Sequence, residues 1–324
     1  MLGSFVASEE LGNLKFLRNN GFTWIDVSRP AHGDMRELGN RFSFHELNLD
    51  DCLSKVQIPK IDRYEDHLFI ILHFPTIAKE TSIPRSSQLC VFIGKGYLVT
   101  VHQGDLSPLV DMFELCAKSN AERQDLMGRS SGYLFHSIVD ALVDNLIVTI
   151  RKVIGNFDDI EDEVFNEKIS VAKEISHLRR EITSLRRMAI PLKRTVLELS
   201  TRDMQRFSEE DLTLYFDDVR DHIDKAIEEL EESKEVIEIY KDTDFMHDVD
   251  KSNKILAVLT ILFTLSIPAT LIGSFYGMNV SLPGGVETGL WTFLGEFTTF
   301  IMMLTAAAGG AIGMTLYFRR LGWV

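Results

Sequence analysis

Cysteine and basic charge are both in short supply in this chain, and each shortage closes off a class of protein. Only three cysteines occur among 324 residues. Cys52, Cys90 and Cys116 are scattered and show no CxxC spacing, which excludes a disulfide framework and a zinc site and fits a reducing compartment. Lys and Arg number 34 against 48 Asp and Glu, a net charge of −14. So acidic a surface repels nucleic acid and attracts cations. The N-terminus "MLGSFVASEELGNLKF" has no basic start, apolar core or small-residue cleavage site, so no signal peptide is expected. Enzyme signatures are missing as well: there is no nucleophile elbow, no HExxH and no phosphate loop. Gly94-Lys95-Gly96 lacks the further glycine and Lys-Ser/Thr ending that cradle phosphate, and reads as a hairpin turn. The nine histidines are dispersed, and His136 with Asp140, four residues on, reads as a core or interface pair rather than a catalytic one.

What is present is two kinds of chain joined end to end. After Asp250 there are only four basic residues (Lys251, Lys254, Arg319, Arg320) and two acidic ones (Glu287, Glu296). A strongly acidic portion, long enough for one large or two ordinary domains, therefore precedes a nearly neutral apolar tail. Ile255 to Phe275 and Phe297 to Phe318 are uncharged, and at about 1.5 Å per residue each helix would cross a bilayer core of roughly 30 Å. Lysines precede the first run and arginines follow the second, while the turn between has neither. Both outer ends are thus expected in the cytoplasm and the turn outside. Pro268 is tolerated in a membrane helix, and Gly309, Gly310 and Gly313 allow another helix to approach closely.

The first 105 residues read as mixed α/β. Strands are expected at Gly21 to Arg29 and His67 to Pro75, and in the pair "QLCVFI" and "YLVTVH" around the Gly94-Lys95-Gly96 turn. From Leu106 onward the pattern is helical. Ile175, Leu178, Ile182, Leu185, Ala189, Leu192, Val196 and Leu199 form a seam at steps of three and four, with Pro191 inside it predicting a kink. Phe216, Val219, Ile223, Ala226, Leu230, Ile237 and Tyr240 hold a second stripe. No proline or glycine occurs between Asp211 and Pro268, which predicts one continuous helix from about Asp211 through the first apolar run. Such a helix, with only two spans per chain, calls for several copies side by side around an axis.

On that helix Asn253, Leu256, Thr260, Phe263, Ile267, Thr270 and Ser274 share one face, with Leu259 beside them. Amides, hydroxyls and apolar side chains without carboxylate, thiol or imidazole suit a narrow pore with neutral oxygen ligands, Leu259 and Ile267 acting as apolar constrictions. Neutral oxygens favour hard cations: magnesium gives up water reluctantly, and a ring of Asn279 carbonyls would accept hydrogen bonds from the hydrated ion. Soft metals would call for Cys or His, which are absent from Ile255 to Val324. The alternative for each hydroxyl is a bond to its own helix backbone.

The tetrapeptide Tyr276-Gly277-Met278-Asn279, directly after one span and before a short loop and a second span ending in basic residues, resembles the CorA family of magnesium transporters. Further stretches are similar to that family: "IPKIDRYEDHLFIILHFP", "YLFHSIVDALVDN", "LRREITSLRRMAIPLKRTVLEL" and "YFDDVRDHI". The resemblance implies a funnel-shaped homopentamer: an α+β cytosolic domain, then long α-helices, then two C-terminal transmembrane helices. It divides the chain into 1–130 (α/β), 131–250 (long-helix stalk) and 251–324 (transmembrane, with spans at about 255–275 and 297–318 and an external loop at 276–290). The Tyr-Gly-Met-Asn turn becomes the external selectivity filter, and the protein a multi-pass cell-membrane Mg2+ channel with both termini cytoplasmic and no enzymatic activity. It also implies regulation by divalent cations bound between subunits, with Asp50 and Asp51 of one copy facing Asp218 of the next. Two features depart from the family: the external loop reads "SLPGGVETG", leaving Glu287 to supply negative field, and the final basic cluster is reduced to Arg319 and Arg320, with Trp323 beyond. Transport of Zn2+, Co2+ or Ni2+ on the same scaffold, a membrane-anchored enzyme and a scaffold without ion flux are the competing readings.

Overall fold

The computed structural model describes residues 8–54, 57–77, 83–166, 169–199, 203–278 and 295–322, together with 281, 283, 285 and 289–293. It begins with a seven-stranded sheet. β1 (Ser8–Leu11), β2 (Leu14–Asn19) and β3 (Phe22–Ser28) form a meander, and α1 (His32–Arg41) and α2 (Glu46–Leu53) follow. Then come β4 (Lys60–Arg63), β5 (His67–Thr76), β6 (Arg85–Gly94) and β7 (Tyr97–His102). The strand order is β1-β2-β3-β7-β6-β5-β4. Every neighbouring pair is antiparallel except β3 and β7, which run parallel with Ile25 opposite Val99. Two hairpins show why the turns sit where they do. Asn20 and Gly21 have φ of 45° and 86°, the left-handed pair that a type I′ turn requires, and Gly96 has φ of 83° in the expected Lys95-Gly96 turn.

The sheet is covered on both faces, which is why β5, β6 and β7 read as unbroken apolar runs rather than alternating ones. The side chains still alternate in direction. Phe16, Ile25, Phe69, Ile71, Phe92 and Val99 pack under α1 and α2, while Leu17, Trp24, Leu68, Ile70, Val91 and Leu98 join a larger core with the helices that follow. The four strands expected from sequence are present; β1, β2 and β4 and the two covering helices complete the layer.

Those following helices are α3 (Ser107–Lys118), α4 (Asn120–Met127), α5 (Ser131–Val164), α6 (Ala172–Glu198), α7 (Thr213–Tyr276) and α8 (Thr298–Arg320). The whole expected seam of α6, from Ile175 to Leu199, is buried, and Pro191 lies within the helix without ending it. α7 is one helix of 64 residues, and its stripe from Phe216 to Tyr240 is buried as expected.

Contacts divide the chain into two units, Met1–Asp242 and Thr243–Val324. α5, α7 and α8 are each long and apolar enough to cross a membrane. α5 spends its apolar face on the core of the first unit, whereas α7 and α8 expose theirs within the second. There α8 approaches α7 closely at one glycine. A Cβ placed on Gly310 would lie 3.0 Å from Cβ and 3.1 Å from Cγ of Pro268, while Gly309 and Gly313 face open space.

Candidate functional site

The exposed face of α7 in the second unit carries the polar stripe. Asn253, Leu256, Leu259, Thr260, Phe263, Ile267, Thr270 and Ser274 are all exposed. Ala257, Ile261, Thr264, Leu265, Pro268, Ile272 and Tyr276 lie on another face and are the partly covered positions, with Pro268 against α8. At about 100° per residue the centre of the stripe lies roughly a third of a turn from the centre of that covered face, and every residue of the stripe stays exposed beside α8. Thr260 Oγ1 donates to the Leu256 carbonyl at 2.8 Å and Thr270 Oγ1 to the Ser266 carbonyl at 2.8 Å. The backbone alternative therefore holds for both hydroxyl protons. Their lone pairs remain, so each is left as a neutral acceptor on the stripe.

At the end of the stripe the helix closes on glycine. Gly277 N donates to the Gly273 carbonyl at 2.9 Å, Met278 N to that of Phe275 at 3.2 Å, and Tyr276 Oη reaches the Pro283 carbonyl at 3.0 Å. A Cβ on Gly277 would sit 3.0 Å from the Gly273 carbonyl oxygen. Its φ is not left-handed, so a side chain here would be crowded by the backbone of the preceding turn rather than strained by the turn's conformation. Asn279 and Glu287 lie outside the described residues, as does Trp323.

The acidic positions fall in the first unit. Asp50 is exposed at the end of α2, and Asp51 beside it is ion-paired with Lys60 at 2.8 Å; Lys60 also meets Asp62 at 2.7 Å. Burial alone would lower the Lys60 ammonium, but its hydrogen bonds to Asp51 and Asp62 outweigh that and hold it above its ordinary value. Gln88 ties the same helix end down by donating to the Asp51 carbonyl at 3.0 Å. Asp218 is exposed on α7. Its expected partners, Asp50 and Asp51, were placed on a neighbouring copy, which a single chain does not contain.

Beside Asp218 the structure gathers a group that sequence reading missed. Asp140 and Asp144 of α5 and His222 of α7 have ligand atoms within 4.8 Å of one another. Burial pushes the Asp140 carboxyl above the usual range, with Asp144 and Asp218 adding to the push and His136 and His222 opposing it. His136, one turn before Asp140, is buried against the Tyr215 and Phe216 rings, and burial lowers its imidazole below the usual value. The signal for this group was the step of four through His136, Asp140 and Asp144, which puts all three on one face of α5.

Known proteins settle the class. Residues 19–320 match the family described as CorA-like Mg2+ transporter protein. The chain belongs to this family. Its members are membrane transporters of divalent metal ions and not enzymes. Among curated relatives, the Cobalt/magnesium transport protein CorA of Thermotoga maritima is 28% identical over 312 residues, covering 96% of this chain and 86% of that one. The Putative metal ion transporter YfjQ of Bacillus subtilis is 27% identical over 308 residues, covering 93% and 89%. The complete structure of the CorA magnesium transporter from Methanocaldococcus jannaschii superposes with a TM-score of 0.76 at 18% identity, covering 98% of this chain and 94% of that one. The full-length CmaX protein gives 0.72 at 19% identity, covering 100% and 93%. At those identities the structural matches establish the fold.

Proposed function

We propose that five copies of this chain form a funnel-shaped homopentamer that passes Mg2+ across the cell membrane. α7 and α8 supply the two spans and both termini are cytoplasmic. The observation that carries the reading is the uncovered stripe of α7, which runs from Asn253 to Ser274 and ends in the Tyr276-Gly277-Met278 closure. Copies related by an axis along α7 would bring these stripes together. Asn279 then completes a ring of neutral carbonyls at the mouth, with Glu287 in the external loop. Neutral acceptors hold a hydrated dication weakly enough for it to leave, which conduction requires. Hydroxyl and amide oxygens match the hardness of Mg2+ and its retained water shell.

Cytosolic Mg2+ closes the channel by bridging Asp50 and Asp51 of one copy to Asp218 of the next. The residues fit a hard cation, since all three offer carboxylate oxygens and copies of net charge −14 gain by having one between them. Asp51 is already neutralised by Lys60, so the incoming cation competes with an ammonium. Asp140, Asp144 and His222 lie next to Asp218 and enlarge the sensor. Cobalt transport, or zinc or nickel transport on the same scaffold, is the second reading; cobalt appears in the names of relatives from Thermotoga maritima and Methanocaldococcus jannaschii. Purified protein in liposomes loaded with a magnesium reporter decides between them. Mg2+ flux that excess Co2+, Ni2+ or Zn2+ fails to abolish supports the proposal. Flux of those ions without Mg2+ flux refutes it, and no flux of any ion leaves only a scaffold.

A further inference from the structure

Within the first unit, α6 and α7 are zipped together by ion pairs in one antiparallel register. Arg179 meets Glu238 at 3.4 Å, Arg186 meets Glu231 at 2.6 Å and Lys193 meets Asp224 at 2.6 Å. Each step of seven along α6 is matched by a step of seven back along α7. One position further on, α6 carries a second cationic row at the same spacing: Lys173, Arg180, Arg187 and Arg194. All four are exposed, and they lie nearly opposite the buried seam of Leu178, Ile182, Leu185 and Leu192. Among the described residues none of the four has an ion-pair partner. α7 carries the counterpart. Asp221, Glu228, Glu235 and Asp242 are also seven apart, exposed, and on the side away from Val219, Ile223, Leu230 and Ile237. Asp221 is engaged by Arg220 at 3.2 Å and Asp242 by Lys241 at 3.7 Å. Glu228 and Glu235 have no ion pair among the described residues.

We infer that the outward basic row of α6 docks on the outward acidic row of α7 in a neighbouring copy of the chain. The inference rests on the oligomeric reading above and specifies its contact. A rotation about an axis along the helices leaves every residue at its own height. The height match seen inside one chain therefore also holds between neighbours. In that register Arg187 stands within two residues of Glu228, and Arg180 within two of Glu235, roughly 3 Å of helix rise. Lys173 with Asp242 and Arg194 with Asp221 share the same small offset, so all four pairs come level together. Arginine side chains span such an offset easily. Copies that each carry a net charge of −14 repel, and an assembly must bring opposite signs face to face where it closes. A second copy is favoured over a lipid or other polyanion because only the chain's own α7 repeats the spacing of the row.

Two full-length versions with different tags are co-expressed, one with Arg187→Cys and the other with Glu228→Cys; the native cysteines are buried. Mild oxidation is expected to yield a disulfide-linked dimer bearing both tags, and neither variant alone should yield one. In parallel, Arg180→Glu with Arg187→Glu should raise the concentration at which the oligomer dissociates about tenfold, because like charges then meet. Adding Glu228→Lys and Glu235→Lys should restore it. An oligomer of normal mass that neither cross-links nor responds to charge reversal overturns the inference while leaving the oligomeric reading intact. Absence of the mixed-tag dimer, together with charge reversal that spares the oligomer's mass but abolishes binding to phosphatidylserine vesicles, overturns it in favour of a lipid contact. A wild-type chain that is monomeric in native mass measurements removes the oligomeric reading and the docking together.

Discussion

Replacing Gly310 by alanine tests how α8 is seated on α7. The added Cβ would meet Pro268 Cβ at 3.0 Å and Cγ at 3.1 Å. Carbon pairs prefer about 3.5–4.0 Å, and a pyrrolidine ring has no rotamer into which to retreat. The helices must therefore separate by roughly half an ångström along their contact, which at the usual cost of overpacking is about 1–3 kcal/mol. Alanine returns about 1 kcal/mol of helix propensity, so the net expectation is a loss of about 0–2 kcal/mol. Gly309 and Gly313 have no atom within 4 Å of the same position. Alanine there keeps the propensity gain without the clash. Thermal unfolding in detergent should therefore rank Gly310→Ala below the wild type and Gly309→Ala and Gly313→Ala at or above it. If Gly309→Ala or Gly313→Ala is the damaging change and Gly310→Ala is neutral, α8 presents a different face to α7 and the packing described here is wrong.

Gly277→Ala should abolish flux in liposomes without dissociating the oligomer, since its Cβ crowds the Gly273 carbonyl at 3.0 Å, and Asn279→Ala should do the same; wild-type flux in either variant sinks the filter assignment. Ile267→Ser or Leu259→Ser should raise basal leak by easing wetting of a narrow apolar passage, and cysteine labelling that finds both positions facing lipid would show the stripe to be misphased. Lys60→Met frees Asp51 while keeping the aliphatic stem, so the Mg2+ concentration that silences flux should fall by up to about fivefold; an unchanged or higher concentration removes Asp51 from the sensor. Asp140 keeps its proton to a higher pH when folded, so its contribution to stability is full below the ordinary carboxylate range and lost as pH rises through its raised value. A bound dication offsets that loss. Mg2+ should thus raise the melting temperature more at about pH 7.5 than at about pH 5, and an equal or reversed gain argues against a cation at this group.

Which parts of this molecule could be read from its residues follows from how local their physics is. β5, β6 and β7 announce themselves because both faces are buried, and α7 because no proline or glycine interrupts it before Pro268. β4 is four largely polar residues, Lys60 to Arg63, and in β2 the exposed Lys15 and Arg18 break up the buried Leu14, Phe16 and Leu17, so neither has a long apolar run to detect. The parallel β3–β7 pairing joins segments more than 70 residues apart and leaves no local trace. The same distinction governs the site. The α7 stripe and the Tyr276-Gly277-Met278 closure are consecutive chain. Asp140, Asp144 and His222 meet only because α5 packs on α7. The pairing of Asp51 with Lys60 needs α2 folded over the sheet edge, so a carboxylate that looked free in the sequence is engaged in the fold.

The distribution of charge follows from the same physics. A carboxylate on the α7 stripe would hold a doubly charged ion strongly in a low dielectric, and a site that binds tightly does not conduct. In the proposed pore, hydroxyls already bonded to their own backbone would avoid that trap, keeping lone pairs for the ion's water shell and adding no charge. In the first unit the requirement reverses. A sensor must bind one state of the assembly better than the other, and only that difference can shift the gate. Carboxylates in a wet, screened interface have modest individual energies, but each site repeats once per copy. Occupation at about 100 times the dissociation constant contributes roughly 2.7 kcal/mol per site, and equivalent sites on several copies add. In the proposed sensor, Lys60 would set the threshold by occupying Asp51 until the cation is abundant.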